Sequence, residues 1–274
     1  MKALSLGSAA LALMLTASPA MAQSADWTGP YFGGRLGYSS QPEDKDETIL
    51  FDTDLNGTFG DTVNTVAGVN AFSRGFCGGA AGSATSNGCA DRDGSEWAVH
   101  AGYDYQLGSS IVAGLVAEYG RSTIVDSVTA FSSTPAFYTF TRRLRDHASI
   151  RARLGFALGD TLVYGTGGAA YGKIRHSFTT SNTANTFTSA GDDEDSWGYR
   201  AGGGVEQRVS DNFSIGAQYL YTSLEDDDFT VRAGGTNLPV SNPFLRTNPG
   251  GTDFARSSSR FTSHNVSVTA NFRF

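Results

Sequence analysis

The amino-acid sequence predicts an all-β fold, a transmembrane antiparallel up-and-down β-barrel of eight strands with short periplasmic turns and long extracellular loops. Segments of about ten residues alternate between apolar and polar side chains, and tight turns alternate with long connections. After the N-terminus, no stretch approaches the ~18 consecutive apolar residues that a transmembrane helix requires. These observations exclude a helical membrane protein and favour strands that cross a bilayer.

The N-terminus has the pattern of a secretory signal peptide. Lys2 provides a basic start, residues 11–17 form an apolar run, and the small residues Ala20 and Ala22 mark a cleavage site before Gln23. The apolar run is too short to span a bilayer as a helix. The sequence therefore predicts an exported chain with a signal peptide, residues 1–22, and one β-barrel domain, residues 23–274.

Composition supports a sheet protein and narrows the partners. The chain contains 34 glycines, 12% aromatic residues and 17% charged residues, whereas soluble domains average about 25% charged residues. The net charge of -7 argues against a nucleic-acid partner, because phosphate binding needs a basic face. Cys77 and Cys89 are the two cysteines of an exported chain, so one disulfide is predicted. No cofactor is predicted.

Eight segments alternate in the manner of membrane strands. The pattern is clearest at the C-terminus, where apolar residues from Val266 to Phe274 alternate with polar residues from Asn265 to Arg273. In a membrane barrel the apolar set faces lipid and the polar set faces the lumen. The glycines of the fifth segment leave two registers open, and we place Lys173 and Arg175 inward. The predicted strands are residues 31–38, 97–107, 111–120, 147–158, 162–174, 199–209, 213–221 and 265–274.

The connections between these segments alternate in length. Residues 107–110, 159–160 and 210–212 carry the Gly, Ser, Asp and Asn residues of tight turns. Short turns on one rim and long loops on the other are typical of an outer-membrane barrel, with both termini on the periplasmic side. The long connections are residues 39–95, 121–146, 177–195 and 224–260.

The polar sets of the strands predict a charged lumen. In hydrocarbon an unpaired backbone N–H or C=O costs several kcal/mol, so a sheet that spans lipid must close on itself. Eight strands leave an interior just wide enough for side chains to fill. Charged side chains in that interior are expected to pair with one another. The predicted members of this lumen network are Arg35, Asp104, Glu118, Arg151, Arg153, Arg200, Glu206 and Arg208.

Four stretches resemble a known family. Residues 27–38 (WTGPYFGGRLGY), 163–172 (VYGTGGAAYG), 202–206 (GGGVE) and 271–274 (NFRF) are similar to small outer-membrane barrels of the OmpA-like and opacity-type surface-antigen group, the "porin family" proteins. The resemblance implies a location in the outer membrane among lipid and lipopolysaccharide. It also implies that Phe272 and Phe274 form the terminal signal read by the barrel assembly machinery. Unlike the family, the predicted seventh strand turns Gly216, Gln218 and Leu220 inward.

One pair of residues, His147 and Ser149, could be either catalytic or merely structural. His147 and Ser149 lie two residues apart, the spacing used by lipid A deacylases, but their face carries Arg151 and points into the lumen. We therefore favour a polar pair over catalysis.

Acidic residues in the loops leave a similar choice. Asp52, Asp54 and Asn56 match the first half of a calcium loop, but Val63 occupies its twelfth position, so we favour an acidic turn, with calcium binding as the alternative. The acidic runs 192–195 and 225–228 are interpreted as solvated charge, with cation bridging to lipopolysaccharide as the alternative.

Three functions remain open at this point. The favoured one is a non-enzymatic, structural and surface-interaction protein whose extracellular loops bind an extracellular ligand, because function concentrates on loops held by a rigid scaffold. The alternative is a narrow porin-like channel for small solutes, although wide porins use about 16 to 18 strands. A lipid A-modifying enzyme is the third.

Overall fold

A computed structural model describes residues 26–42, 46–84, 89–191, 193–226 and 229–274. Eight long antiparallel strands form a closed barrel in which each strand pairs with its neighbours in the chain and the last pairs with the first. The predicted fold class is confirmed. The expected signal peptide, residues 1–22, lies outside the described residues and stays a prediction. The barrel strands are β1 (Gly29–Ser40), β2 (Gly94–Leu107), β3 (Ile111–Ser122), β4 (Ala136–Leu158), β5 (Thr161–Thr180), β6 (Asp193–Ser210), β7 (Phe213–Glu225) and β8 (Arg260–Arg273).

The three tight turns lie where the sequence places them. Leu107 pairs with Ile111, Leu158 pairs with Thr161, and the chain reverses again between β6 and β7. Gly108 and Gly159 have φ values of 64° and 61°, a left-handed conformation that glycine adopts without steric cost. In the described ranges, no helix is long and apolar enough to cross a membrane.

The outer wall of the barrel is apolar, and aromatic side chains concentrate at its two ends. Leu36 and Ile150 point outward with exposed fractions of 67% and 66%. Flanking aromatic belts are typical of barrels in a membrane, where the rings lie at the two lipid–water interfaces. The belt near the short turns contains Phe32, Tyr103, Tyr105, Phe156, Phe213, Phe272 and Phe274. The upper belt, at the other end, contains Tyr38, Trp97, Tyr119, Tyr171, Trp197, Tyr199, Tyr219 and Tyr221.

Strands β4 and β5 continue well beyond the upper belt, and this corrects the predicted connection 121–146. Much of that connection is the strand Val125–Ser132, which pairs with the first residues of β4 and is joined in turn by Phe76–Gly78. Side chains on both faces of Val125–Ser132 are buried. An alternating pattern therefore cannot mark this strand in the sequence.

The other long connections also fold, and they form a second sheet above the barrel. Its strands are, in order, Thr186–Ala190, Thr230–Gly234, Thr252–Arg256 and Ile49–Asp52. We call the described parts of residues 41–93, 123–143, 175–191 and 226–259 the cap. The cap contains secondary structure contributed by all four long connections.

The cap has an apolar core of its own. The rings of Phe51 and Phe72 stack with centroids 4.4 Å apart, and Phe254 meets Phe51 edge-on at 4.9 Å. Tyr138 of β4 also contacts Phe72, so the core is continuous with the extended barrel strands. A disulfide joins Cys77 to Cys89 with Cα atoms 6.2 Å apart. The buried core residues are Ile49, Phe51, Val63, Ala71, Phe72, Val128, Ala130, Ala136, Tyr138, Phe140, Phe229, Val231, Ala233, Phe244 and Phe254.

Candidate functional site

The lumen of the barrel contains charged side chains that share a few acceptors. At mid-height Glu118 accepts hydrogen bonds from Arg35 Nε at 2.9 Å, Arg200 Nη1 at 2.8 Å and Arg151 Nη2 at 3.1 Å. All four side chains are buried. Together with Glu96 and His147 they form what we call the central cluster. A carboxylate with this many charged donors remains ionised, and it offsets the charge of several buried arginines.

Glu96 is a member of the central cluster that the sequence analysis missed. Its carboxylate accepts from Arg35 Nη2, from Arg200 Nη2 at 3.3 Å and from Ser39 Oγ at 2.7 Å. His147 Nε2 lies 3.1 Å from Glu96 Oε1. The alternating pattern could have identified Glu96. The inward residues of β2 occur at every second position, and Glu96 is the next such position before Trp97, where the predicted strand begins.

A lower cluster lies nearer the short turns. Arg153 pairs with Glu206, and Arg273 Nη2 donates to Asp104 Oδ2 at 2.8 Å. The guanidinium of Arg153 also lies 3.8 Å from the ring centroid of Tyr164, which is within cation–π range. Arg273 belongs to the polar set of β8 but was not predicted as a network member. The lower cluster balances two arginines against two carboxylates.

The structure thus brings together seven of the eight predicted network residues, in two clusters, and separates the eighth. Arg208 makes no ion pair with a described residue. Its guanidinium lies 4.7 Å from the ring centroid of Trp27 and donates to the backbone oxygen of Asp26. The prediction for Arg208 was wrong because this part of β6 already lies at the periplasmic opening, beyond the lower cluster.

The register that we chose for the upper part of β5 was also wrong. Lys173 and Arg175 point outward, whereas Ile174 is fully buried. Gly172 pairs with His147 while Ile174 pairs with Leu144, so β4 carries an extra residue opposite Lys173. At this height the strand has passed the upper belt. Its outer face meets water, where charges are tolerated, and its inner face packs in an apolar layer.

Two apolar layers close the lumen above and below the charged clusters. A cavity of about 20 Å³ remains between the central and lower clusters, which is room for about one water. The interior is therefore filled by side chains, as expected for eight strands. The lower plug is Trp27, Val112, Ala157, Leu162 and Tyr164. The upper plug is Ile124, Leu144, Ala170, Ile174, Leu224 and Phe261.

Strand β4 runs through these layers in order. From the short-turn end, Ala157 lies in the lower plug, Arg153 in the lower cluster, Arg151 and His147 in the central cluster, and Leu144 in the upper plug. Arg142 then enters a third charged cluster, inside the cap. Polar and apolar layers therefore alternate along the barrel axis.

The third charged cluster, which we call the cap cluster, lies above the upper plug. Arg142 pairs with Asp126 and, at 2.9 Å, with Asp226, while Arg256 Nη2 lies 3.0 Å from Asp126 Oδ2. His176 Nε2 lies 2.7 Å from the second oxygen of Asp226. The sequence analysis missed this cluster because its members come from two separate connections and from the upper end of β5.

Burial and pairing act in opposite directions on the acids of the cap cluster. Burial raises the pKa of Asp126, but the guanidinium groups of Arg256 and Arg142 lower it more, so the pKa lies below its ordinary value. Burial likewise raises the pKa of Asp226, whereas its hydrogen bond to His176 and the charge of Arg142 bring the pKa below the ordinary value. Both carboxylates are therefore ionised at neutral pH.

The acidic turn of the first connection gathers a different set of residues from the predicted one. Oxygen atoms of Asp52, Asp54 and Asp61 lie within 4.8 Å of one another. Asn56 instead donates its side-chain amide to Asp54 at 2.9 Å, and its backbone N–H and that of Gly57 donate to Asp52. These bonds are typical of an acidic turn, the favoured interpretation, and calcium binding remains the untested alternative.

The remaining predicted residues lie as follows. His147 and Ser149 are both buried in the lumen, and no hydrogen bond joins their side chains in the described structure. Phe272 and Phe274 are exposed on the outer wall, where their rings lie 5.2 Å apart and contact Phe32. Their recognition by the barrel assembly machinery stays a prediction.

Comparisons with known proteins agree with this architecture. The chain is 29% identical to the 31 kDa outer-membrane immunogenic protein of Brucella melitensis biotype 1 over 250 residues, 90% of this chain and 84% of that protein. It is 30% identical to the 22 kDa outer membrane protein of Rhizobium leguminosarum bv. viciae over 136 residues, 50% of this chain and 56% of that protein.

One solved structure matches most of both chains. The crystal structure of the outer membrane protein OprG from Pseudomonas aeruginosa matches with a TM-score of 0.46 and 11% identity over 92% of this chain and 99% of that one. The family model for the outer membrane protein beta-barrel domain matches residues 8–274. The chain therefore belongs to the outer membrane protein beta-barrel domain family and is a protein of the outer membrane.

Proposed function

We propose that this protein is a non-enzymatic surface-interaction protein, in which the barrel anchors the cap and the cap binds a ligand outside the cell. The observation that carries the proposal is the folded cap, in which strands from different connections enclose one apolar core. A binding surface on a packed scaffold loses little entropy when it binds, which favours recognition.

The surface of the cap supports this role. Val66, Val69 and Val240 lie on the cap with exposed fractions of 68%, 55% and 92%. Apolar side chains that remain exposed beside a well-packed core are available for contact with another molecule. The cap also presents exposed polar groups, such as the Arg232–Asp253 pair, which can supply specificity.

The layered lumen argues against the channel alternative. A solute would have to displace the upper plug and the lower plug and also break the ion pairs of the central cluster. In planar bilayers we expect no stable conductance from the purified protein. Stable openings that respond to charge reversal at Arg151 or Arg153 would instead favour a channel.

The same layers argue against catalysis by His147 and Ser149. Both side chains lie at the level of the central cluster, below the upper plug, where no lipid substrate can reach them. Overexpression is therefore expected to leave the mass spectrum of lipid A unchanged. A new deacylated species, lost in Ser149→Ala, would overturn this assignment.

The interaction role is tested on intact cells. Cells that display the full protein are compared with cells that display a barrel in which residues 226–259 are replaced by a short Gly-Ser turn. Heat-modifiable migration in SDS gels shows that each barrel has folded. We expect the full protein alone to promote adhesion to immobilised matrix proteins, cell–cell aggregation or phage adsorption. Equal behaviour of both strains in all three assays would refute the proposal.

A further inference from the structure

An arginine-lined pocket opens on the outer wall just above the upper belt. It has a volume of about 750 Å³ and lies next to the outward-facing ring of Trp97. We call it the arginine pocket. The residues that line it are Arg92, Trp97, Arg121, Ser122, Thr123, Val125, Arg143 and Arg145.

Strand pairing explains why these arginines converge. Arg121 ends the outward row of β3, beside Trp97, with which it is paired. Val125 pairs with Arg143 of β4 on one side and with Arg92 on the other, so it brings two of the arginines together. The irregularity of β4 lies between Leu144 and His147, where one extra residue disrupts the alternation. Such bulges redirect side chains at functional edges of sheets.

The pocket carries more positive charge than its surroundings neutralise. Arg121 Nε lies 2.7 Å from Asp146 Oδ1, and this is the only ion pair that the four arginines make with described residues. Two other nearby acids have different partners. Asp93 accepts from the hydroxyl of Tyr38, and Asp91 accepts from the backbone N–H of Ser127. The hydrogen bond from Arg121 lowers the pKa of the Asp146 carboxyl, and the charge of Arg145 helps to lower it. Among the described residues, Arg92 and Arg143 are thus the guanidinium groups left for an anion from outside the chain.

The height of the pocket points to the source of that anion. Trp97 and Tyr119 belong to the upper belt, and aromatic belts lie at the level of lipid headgroups. The pocket begins directly above this belt, at the end of the barrel that carries the long connections. In an outer membrane this is the outer leaflet. Phosphate groups of a lipid at that level face the arginines without leaving the bilayer.

We propose that the arginine pocket binds the phosphate groups of a phosphorylated glycolipid of the outer leaflet, lipopolysaccharide. Guanidinium groups bind phosphate oxygens through paired, charge-assisted hydrogen bonds, and several of them converge here. The acyl chains of the same lipid lie along the apolar wall below Trp97. The pocket lies at the base of the cap and includes its residues Arg92 and Arg143, but none of its lining residues belongs to residues 226–259, which the test of the proposed function replaces. The pocket would therefore remain if that proposal failed.

The test measures lipid binding by the full protein. Purified protein in detergent is titrated with lipid A that carries both phosphates, with dephosphorylated lipid A and with inorganic phosphate, and bound lipid is counted by native mass spectrometry. We expect the double variant Arg143→Gln/Arg145→Gln to bind diphosphorylated lipid A at least tenfold more weakly than the wild type. Dephosphorylated lipid A should bind all variants equally weakly.

The matched control removes the same charge elsewhere. Arg232→Gln/Arg260→Gln neutralises two exposed arginines that pair with Asp253 and Glu225, outside the pocket. This control should bind lipid A as the wild type does. Heat-modifiable migration verifies folding of each variant. If the double variant fails to fold, Arg92→Gln replaces it, with the same expected direction.

Three results would overturn the proposal. The first is unchanged binding of diphosphorylated lipid A by the pocket variant. The second is equal binding of dephosphorylated lipid A by the wild type. The third is binding of inorganic phosphate as tight as that of lipid A, since that result assigns the pocket to a free anion.

Discussion

Replacing Phe254 by alanine tests whether the cap is a folded unit or a set of independent loops. The side chain of Phe254 has an exposed fraction of 0%, and its ring lies 4.9 Å from Phe51, 5.4 Å from Phe244 and 5.8 Å from Tyr138. Truncation of a buried phenylalanine to alanine costs about 3 to 5 kcal/mol, through lost burial and the cavity left behind. The substitution is expected to lower mainly the free energy required to open the cap locally, because the barrel keeps all its strand pairs.

The size of the effect follows from the same estimate. A cost of about 3 to 5 kcal/mol raises the population of the opened cap between about a hundredfold and several thousandfold, at about 1.4 kcal/mol per factor of ten. When opening is fast, the rate of protease cleavage rises in proportion to that population. Cleavage within the cap is therefore expected to accelerate by at least about a hundredfold, while heat-modifiable migration of the barrel persists.

Val240→Ala is the matched control. Val240 belongs to the same cap but has an exposed fraction of 92%, so its truncation should change stability by no more than about 0.5 kcal/mol. If Phe254→Ala and Val240→Ala are cleaved at the same rate as the wild type, the loops do not share a core and the reasoning fails.

Three further predictions concern the charged clusters and the disulfide. Glu118→Gln leaves buried arginines without their shared carboxylate and is expected to destabilise the barrel by about 3 to 5 kcal/mol, seen as a lower temperature of the heat-modifiable transition; an unchanged transition would contradict the central cluster. Because Asp126 and Asp226 have folded-state pKa values below the ordinary one, they stabilise the cap above about pH 4, and this stability is lost as the pH falls through those lowered values. Resistance of the cap to pepsin should then fall as the pH drops below about 4, and less steeply in Asp226→Asn; an equally steep loss in that variant would refute the assignment. Replacing both Cys77 and Cys89 by serine is expected to weaken the cap by about 2 to 3 kcal/mol in the chain-entropy model, with faster cleavage of the first connection; equal cleavage before and after reduction of the wild type would count against it.

The barrel could be predicted from the sequence because lipid and lumen impose opposite demands on the two faces of each strand. Where one face of a strand meets lipid and the other meets the polar lumen, as in β2, β3 and the lower part of β4, alternation identifies the strand and the direction of its side chains. Arg35, Glu118 and Arg200 were found in this way. Glu96 was missed only because β2 begins at Gly94, whereas the predicted strand begins at Trp97, the first aromatic residue on its lipid face.

The cap could not be predicted by the same reasoning. Val125–Ser132 is buried on both faces, and the four-stranded sheet is made of segments of four or five residues that pair across large separations in the chain. Lys173 and Arg175 were misplaced for a related reason, since above the membrane the outer face of β5 meets water. A single sequence carries little information on such pairings.

The four-stranded sheet of the cap also has an immunological consequence. Thr252–Arg256 pairs with Ile49–Asp52, near the other end of the chain, and Thr186–Ala190 reaches this sheet only through Thr230–Gly234. A synthetic peptide copied from one connection lacks these partners and will not hold the same backbone shape. Antibodies raised against the folded protein are therefore expected to recognise discontinuous epitopes, and a fragment that is to present the same surface has to keep the barrel that holds the four connections together.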